Sequence, residues 1–230
     1  MNTPYPAGNA LLDGLPDADR RRLMVAGEAV AMRSGDLLAV AGCTAPYVVF
    51  PLVGFVSRVV RLESHPDLEV GMIGPEGVLG AHLVLGIVAS PVRALVQGAG
   101  WAWRIETAVF CRLLGGSPPL QAALSRAVHA ELAELAGSAA CLRFHRIEAR
   151  LARWLLMSHD RMRSDRFELT HEFMACMLGV RRASVTLAAG ALQQRGVLTY
   201  RHGVVTLLDR PGLQAAACAC YVVGNPGASR

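Results

Sequence analysis

Two short amphipathic helix patterns meet at a glycine within residues 169–198, LTHEFMACMLGVRRASVTLAAGALQQRGVL. Thr170 precedes the first pattern, and its hydroxyl can accept a hydrogen bond from an unpaired backbone N–H, as a helix N-cap does. Gly179 follows the pattern at a position where a left-handed glycine commonly ends a helix. The second pattern runs from about Ala183 to Arg195, and Gly196 follows it. We therefore predict two helices joined by a tight turn.

The spacing of small and apolar residues indicates how these two helices cross. Ala175 is small at the expected point of contact, Gly179 comes four residues later, and Val185 comes six residues after that. This spacing is typical of a helix-turn-helix, in which the second helix presents its N-terminal end to a partner. The polar residues at that end are Arg181, Arg182, Ser184 and Thr186.

A hairpin is predicted directly after the second helix. Two β-rich runs, VLTY and VVTLL, flank the sequence RHG. They predict a hairpin with a basic tip at Arg201 and His202, which corresponds to the wing of a winged helix. Asp209 then predicts the start of a final capped helix. The added wing favours nucleic-acid binding over the alternative, a helical pair that serves only for protein contact.

Positive charge is concentrated in the same part of the chain. Residues 143–230 contain 13 arginines and 6 acidic residues, whereas residues 1–142 contain 10 arginines and 12 acidic residues. This asymmetry favours an acidic partner such as nucleic acid, with better solubility as the alternative. The sequence contains no lysine. Charged contacts to such a partner would therefore come from guanidinium groups, which can bind phosphate or guanine through two parallel hydrogen bonds.

The first half of the chain predicts strands followed by a long helix. Short apolar runs broken by glycine and proline, from Gly35 to Thr107, are typical of a β-sandwich or barrel. Apolar residues then recur in steps of three and four from Pro118 to Arg143, which predicts a helix about 39 Å long. A narrow apolar stripe on such a helix indicates a dimer seam. Its residues are Leu120, Leu124, Val128, Leu132, Leu135 and Leu142. The alternative is packing against the chain's own strands, and both can hold on different faces.

The sequence gives little support for a membrane protein, a metal site or an enzyme. No apolar run reaches the roughly 18 residues of a membrane span, and the N-terminus lacks a secretory signal, so we expect a cytoplasmic protein. Cys218 and Cys220 form a C-x-C without a second pair, so we expect no metal. His171 begins an H-E-x-x-H-like sequence, but Ala175 occupies the position of the second histidine. We therefore expect neither an enzyme nor a cofactor.

The chain resembles transcription regulators of the cyclic-AMP receptor protein and fumarate–nitrate regulator (Crp/Fnr) superfamily. IEARLARWLLMSHDR and LTHEFMACMLGVRRASVTLAAGALQQRGVLTYRHG carry the resemblance most specifically. It implies an α+β fold with a cupin-like β-roll sensor of the cyclic-nucleotide-binding type (residues 1–117), a dimerisation helix (118–144) and a winged helix-turn-helix (145–230). The implied function is a homodimeric, sequence-specific regulator on a palindromic DNA operator, with RNA polymerase and a small-molecule effector as further partners. The alternative is a small-molecule-binding or protein-interaction module whose winged helix no longer reads DNA.

The resemblance also implies roles for individual residues in DNA binding. Arg182 matches an arginine that reads a base. Ala183 stands where many members have a base-reading glutamate, so we expect an operator that differs from the common one. The residues expected to position the DNA backbone are Thr170, His171, Arg181, Ser184, Thr186, Arg201 and His202.

The sensor departs from the nucleotide-binding pattern within GVLGAHLVLGIVASPVRALV. Gly80 matches that pattern, but Ala81 replaces the glutamate that would hold a ribose hydroxyl, and Ala94 replaces a hydroxyl residue. Arg93 could meet a phosphate or, equally, bond backbone carbonyls, and His82 lies beside this vestigial pocket. Two lost hydrogen bonds of about 0.5–3 kcal/mol each predict weak or absent cyclic-AMP binding.

Overall fold

The computed structural model describes residues 8–61, 63–64 and 66–223 of the 230-residue chain. The chain divides into two compact units. The first comprises Met1–Val59 and Met72–Glu131, and the second comprises Val60–Gly71 and Leu132–Arg230. An antiparallel sheet with helices makes up the first unit, and helices with a small sheet make up the second, which confirms the α+β class. The ends of the expected sensor and DNA-binding domains, residues 1–7 and 224–230, lie outside the described residues.

Five strands form the larger sheet, most of which lies in the first unit. They are β1 (Gly27–Met32), β2 (Leu37–Ala39), β3 (Tyr47–Val60), β4 (Leu68–Ile73) and β5 (Arg93–Glu106). The order is β1-β5-β3-β4, with β2 also paired to β5. β3 and β5 are 14 residues long, so the expectation of short strands alone was wrong. Glycine allows these two strands to approach closely, because a Cβ on Gly100 of β5 would lie 2.1 Å from the Val53 carbonyl oxygen of β3.

Short helices surround this sheet. They are α1 (Ala10–Asp13), α2 (Asp17–Ala26), a 3₁₀ helix (Ala81–Leu85) and α3 (Thr107–Gly115). The sequence pattern does not predict α1, whose cap Asn9 also donates to the carbonyls of Pro51 and Gly77 at 3.0 and 2.8 Å. The first residue of α2 is Asp17, and Pro16 takes the N-cap position without a side-chain hydrogen bond.

The long helix α4 runs from Pro118 to Phe144, as predicted to within one residue. Its apolar stripe is divided. Leu120 and Leu124 are 1% and 0% exposed and belong to the core of the first unit, and Val128 packs against that core. Leu120 and Leu124 therefore leave no surface for a second chain, which corrects their assignment as dimer residues. Leu132, Leu135 and Leu142 are 60%, 45% and 39% exposed, and a role for them in a dimer stays a prediction.

In the part of the chain that the structure describes, the second unit contains the first residues of β4, the end of α4, and a further five helices and three short strands. They are α5 (Ile147–Met162), β6 (Arg166–Glu168), α6 (His171–Leu178), α7 (Arg182–Gln194), β7 (Leu198–Arg201), β8 (Val204–Leu207), α8 (Arg210–Ala216) and α9 (Cys220–Val223). The strand order is β6-β8-β7. β6 was not predicted, since only Phe167 in this polar stretch is apolar and buried. Asp209 caps α8 as expected, accepting from the Gly212 N–H at 3.0 Å.

Among the described residues, no single helix is long and apolar enough to span a membrane. α6 and α7 reach that length and composition only as a pair bent by 108°.

A pair of glycine substitutions tests the turn between α6 and α7. Gly179 has φ +62°, and a Cβ there would also lie 2.8 Å from Leu68 Cδ1. We expect Gly179→Ala to lower the free energy of unfolding by about 1–2 kcal/mol, because L-residues avoid this conformation. Gly190→Ala in the interior of α7, where a Cβ meets nothing within 4 Å, should raise it by up to about 1 kcal/mol.

Urea denaturation of the two variants beside the unaltered chain provides the measurement. Equal effects of the two substitutions would show that the turn does not need a left-handed residue.

Candidate nucleic-acid interface

Hydrogen bonds cap both ends of α6, and those at its C-terminal end form the turn into α7. Thr170 Oγ1 accepts from the Phe173 N–H at 3.1 Å, which confirms the predicted N-cap. At the other end the Gly179 N–H donates to the Cys176 carbonyl and the Val180 N–H to the Ala175 carbonyl, at 3.1 and 3.0 Å. This is the Schellman arrangement, and it requires the left-handed conformation found at Gly179. The chain can therefore turn sharply into α7.

Packing then fixes α7 against α6 and α5. Ala175 and Val185 are 3% and 0% exposed, as the helix-turn-helix spacing predicted. The 108° bend between the two helices lies in the range of this motif. Arg150 of α5 is buried, and its guanidinium donates to the Leu178 carbonyl at the end of α6. This hydrogen bond joins α5 to the end of α6, next to the turn. The sequence showed only that an arginine lies among the apolar residues of α5.

Arg181 and Arg182 stand at the exposed start of α7. Arg181 is the N-cap residue, with no side-chain capping bond, and Arg182 is the first helical residue. Both are exposed, and neither guanidinium has an ion pair or side-chain hydrogen bond among the described residues. Ala183 is exposed beside them, whereas Ser184 is half-buried. Two exposed guanidinium charges at a helix start are suited to bind phosphate or a base edge.

His171 links α6, α7 and the strand β7. The Thr186 hydroxyl donates to the Arg182 carbonyl at 3.1 Å, so it accepts from His171 Nδ1 at 3.0 Å. The imidazole also stacks on Tyr200 of β7, with ring centroids 4.0 Å apart and planes at 16°. His171 Nε2 is buried and has no hydrogen-bond partner among the described residues. Burial, and then the charge of Arg182, lower the pKa of His171 and favour the neutral ring.

The predicted wing is present as the hairpin of β7 and β8. His202 and Gly203 form its two-residue tip with φ +50° and +79°, which is the type I′ geometry preferred in such hairpins. Arg201 and His202 are both exposed. The Gly203 carbonyl accepts from the Leu169 N–H at 2.7 Å, and this bond anchors the tip just before α6.

Comparison with known proteins agrees with this geometry. Residues 149–216 match the family model of the Crp-like helix-turn-helix domain. They form a Crp-like helix-turn-helix domain. No curated protein sequence matches the chain.

Solved structures share the fold over most of the chain. FixK2 from Bradyrhizobium japonicum is 16% identical with a TM-score of 0.69, covering 84% of this chain and 98% of its own. A Crp/Fnr-family regulator from Thermus thermophilus is 23% identical, with a TM-score of 0.67 and coverage of 83% and 98%. A putative Crp/Fnr-family regulator from Eubacterium rectale is 14% identical, with a TM-score of 0.68 and coverage of 90% and 96%. The chain thus has the fold of Crp/Fnr-family transcriptional regulators.

Leu187 was not identified from the sequence as an exposed residue of the Crp-like helix-turn-helix domain. Leu187 is 76% exposed on α7, one position after Thr186 and five after Arg182. It comes four residues after Ala183, a spacing that places these two side chains on the same outer face of α7. The sequence signal was its place in the helical period, on the opposite side from buried Val185 and Ala189.

The five residues predicted for the sensor pocket lie at two places in the first unit. Gly80, with φ +115°, precedes the 3₁₀ helix that contains Ala81 and His82, while Arg93 and Ala94 begin β5. Ala81 and Ala94 are 1% and 0% exposed and belong to different apolar clusters. Burial lowers the pKa of the half-buried His82. A separate cavity of about 340 Å³ in the same unit is lined by none of the five, and its wall includes Asp36, Tyr47 and Arg104. The vestigial pocket stays a prediction.

The half-buried position of His171, with its Nε2 atom fully buried, predicts a pH dependence of stability. Because its pKa is lowered in the folded chain, the unfolded chain binds more protons once the pH falls below about 6.5. The free energy of unfolding should therefore decrease over that range, until the folded pKa is reached. His171→Phe keeps an aromatic ring against Tyr200 and should reduce this slope.

Denaturation at a series of pH values measures the effect. His202→Phe, which removes an exposed imidazole at the tip of the wing, is the matched control. An unchanged slope in His171→Phe would argue against a buried neutral imidazole.

Proposed function

We propose that this chain is a homodimeric, sequence-specific DNA-binding transcription regulator. The observation that carries the proposal is the pair of exposed guanidinium groups of Arg181 and Arg182 at the start of α7, neither of which has an ion pair within the part of the chain that the structure describes. They stand at the end of the helix that a helix-turn-helix inserts into the major groove. The excess of arginine in residues 143–230 supports binding to a polyanion. In this proposal residues 1–117 are the sensor, 118–144 the dimerisation helix and 145–230 the DNA-binding domain.

The two arginines have different roles in the proposal. Arg182 lies inside the helix, where a guanidinium can reach the O6 and N7 atoms of guanine. Arg181 precedes the helix and contacts phosphate. Arg201 and His202 contact the backbone from the wing, and Thr170 and Ser184 from the helix starts. His171 and Thr186 contribute mainly by holding α6, α7 and β7 together, because their mutual hydrogen bond occupies the Thr186 hydroxyl.

Leu187 extends the base-reading face. A leucine that is 76% exposed in the free chain gains most from an apolar surface on its partner. The 5-methyl group of thymine is the apolar feature of the major groove. With Ala183 beside it, the centre of the reading face is apolar, so the proposed site combines a guanine for Arg182 with a neighbouring thymine.

Effector binding in the sensor would not follow the cyclic-AMP pattern. The buried methyl groups of Ala81 and Ala94 offer no hydrogen bond to a ribose or phosphate. The sensor is therefore proposed to be degenerate toward cyclic nucleotides. Any small-molecule effector must use other groups.

Two single substitutions, at Arg182 and at Arg201, distinguish an arginine that reads a base from one that contacts the DNA backbone. On an operator selected from genomic DNA, Arg182→Ala should cost about 1–3 kcal/mol and relax the preference at one base pair. Arg201→Ala should instead weaken operator and random DNA alike and reduce the salt slope by about one. Fluorescence anisotropy over a series of salt concentrations measures both.

Equal losses on operator and random DNA for Arg182→Ala would contradict its role as the base reader. The rival function, an interaction module that no longer reads DNA, predicts no steep salt dependence for any DNA.

Charge placed on the exposed end of the α4 stripe tests the proposed dimer. Leu132→Glu combined with Leu135→Glu should convert a dimer of twice 24.5 kDa into a monomer, since two buried carboxylates would face each other. Leu85→Glu is the matched control, because Leu85 is 59% exposed in the first unit and lies off the stripe. Light scattering after size exclusion gives the mass, and a dimer that persists in the double variant would place the interface elsewhere.

A further inference from the structure

Three cysteines and a histidine that are far apart in sequence converge in the second unit. Cys141 and His145 are one helical turn apart at the end of α4, and the Cys141 carbonyl accepts from the His145 N–H at 3.1 Å. Cys218 and Cys220 come from the segment at the start of α9. The potential ligand atoms of all four residues lie within 4.8 Å of one another.

The distances agree with a tetrahedral site. Cys141 Sγ lies 3.5 Å from Cys218 Sγ, and Cys220 Sγ lies 3.6 Å from His145 Nδ1. Zinc–sulfur and zinc–nitrogen bonds of about 2.3 and 2.0 Å, at tetrahedral angles, would separate two sulfurs by about 3.8 Å and sulfur from nitrogen by about 3.5 Å. Since all four atoms lie within 4.8 Å of one another, adjustments of no more than about 1 Å would bring them around one ion.

Positive charge lies beside the four residues. Three thiolates, one neutral imidazole and a divalent ion carry a net charge of −1, and the buried guanidinium groups of Arg150 and Arg153 interact electrostatically with Cys141.

The C-terminal segment is held in place by contacts outside the cluster. Tyr221 is 2% exposed and donates its hydroxyl proton to Asp160 Oδ2 of α5 at 2.6 Å. Arg210 of α8 donates to Asp160 Oδ1 at 2.8 Å and to the Tyr221 hydroxyl at 3.0 Å. The Tyr221 N–H donates to the Cys218 carbonyl at 3.1 Å. The positions of Cys218 and Cys220 are thus fixed by the fold.

We propose that Cys141, His145, Cys218 and Cys220 form a structural Zn²⁺ site that joins the C-terminal segment to the end of α4. Four protein ligands fill the tetrahedral shell, and Cys141 and Cys218 are buried, so no position is left for a substrate. The expectation of no metal rested on a C-x-C without a second pair. The missing ligands are the C-x-x-x-H of α4, which lies more than seventy residues upstream. The proposal does not depend on DNA binding.

Metal content and cobalt spectroscopy of the full chain test the site. We expect the chain purified under reducing conditions to carry one zinc ion per molecule. Protein produced in cobalt-supplemented medium should show the intense thiolate-to-cobalt charge-transfer and visible bands of a tetrahedral site. Cys220→Ser and Cys141→Ser should lower affinity for the metal at least about 10- to 100-fold. Cys43→Ser, at an exposed cysteine of the first unit, is the matched control and should retain full occupancy.

Stability provides a second readout. A zinc chelator should lower the melting temperature of the unaltered chain by about 5 °C or more and leave that of Cys220→Ser unchanged. Half-buried Cys220 is the variant to rely on if the buried Cys141→Ser does not fold. Absence of stoichiometric metal, occupancy in Cys220→Ser equal to that of Cys43→Ser, or a Cys141–Cys218 disulfide in the reduced-purified chain, seen as a loss of two hydrogens by mass, would each overturn the proposal.

Discussion

The left-handed turn at Gly179 is the constraint on which the arrangement of the second unit depends. Two backbone hydrogen bonds close it, and the guanidinium of Arg150 holds the Leu178 carbonyl from behind. Because the chain bends there by 108°, Val185 is buried against α6 and the start of α7 is exposed. The exposure of Arg181 and Arg182 follows from this turn. The hydrogen bond between His171 and Thr186 and the stacking of His171 on Tyr200 then hold the wing against α6 and α7.

Residues close together in sequence were the ones whose positions could be predicted. The cap at Thr170, the left-handed Gly179, the buried Ala175 and Val185 and the tip of the wing all follow from local turn and capping preferences. Each of these preferences involves a few neighbouring residues, so one sequence is enough to recognise them. The spacing of Ala175, Gly179 and Val185 likewise predicted that the N-terminal end of α7 is exposed.

The stripe on α4 shows how a local pattern can be misinterpreted. Three steps of four residues, from Leu120 to Leu132, advance by about 120° around a helix of 3.6 residues per turn. The stripe therefore winds from the core of the first unit, where Leu120 and Leu124 lie, to an exposed face at Leu132 and Leu135. This rotation could have been calculated from the step lengths, but the prediction assigned every apolar residue of the stripe to one dimer seam.

Contacts between distant residues could not be predicted from a single sequence. Cys141 and Cys218 are 77 residues apart, and nothing in the C-x-C of the C-terminal segment indicates which cysteine or histidine completes it. His171 likewise resembles a phosphate contact in sequence, whereas in the structure its ring is partly enclosed by Thr186 and Tyr200. In both cases tertiary packing decides the chemistry available to the side chain.

Selection of genomic DNA fragments by the purified full chain tests the central claim most directly. If two copies of α7 enter successive major grooves, the bound fragments must share an inverted repeat whose half-sites are about 10 base pairs apart, or a multiple of that spacing. Each half-site is predicted to contain a guanine beside a thymine. Enrichment of no common sequence, with binding that depends only on total charge and salt, would contradict the account.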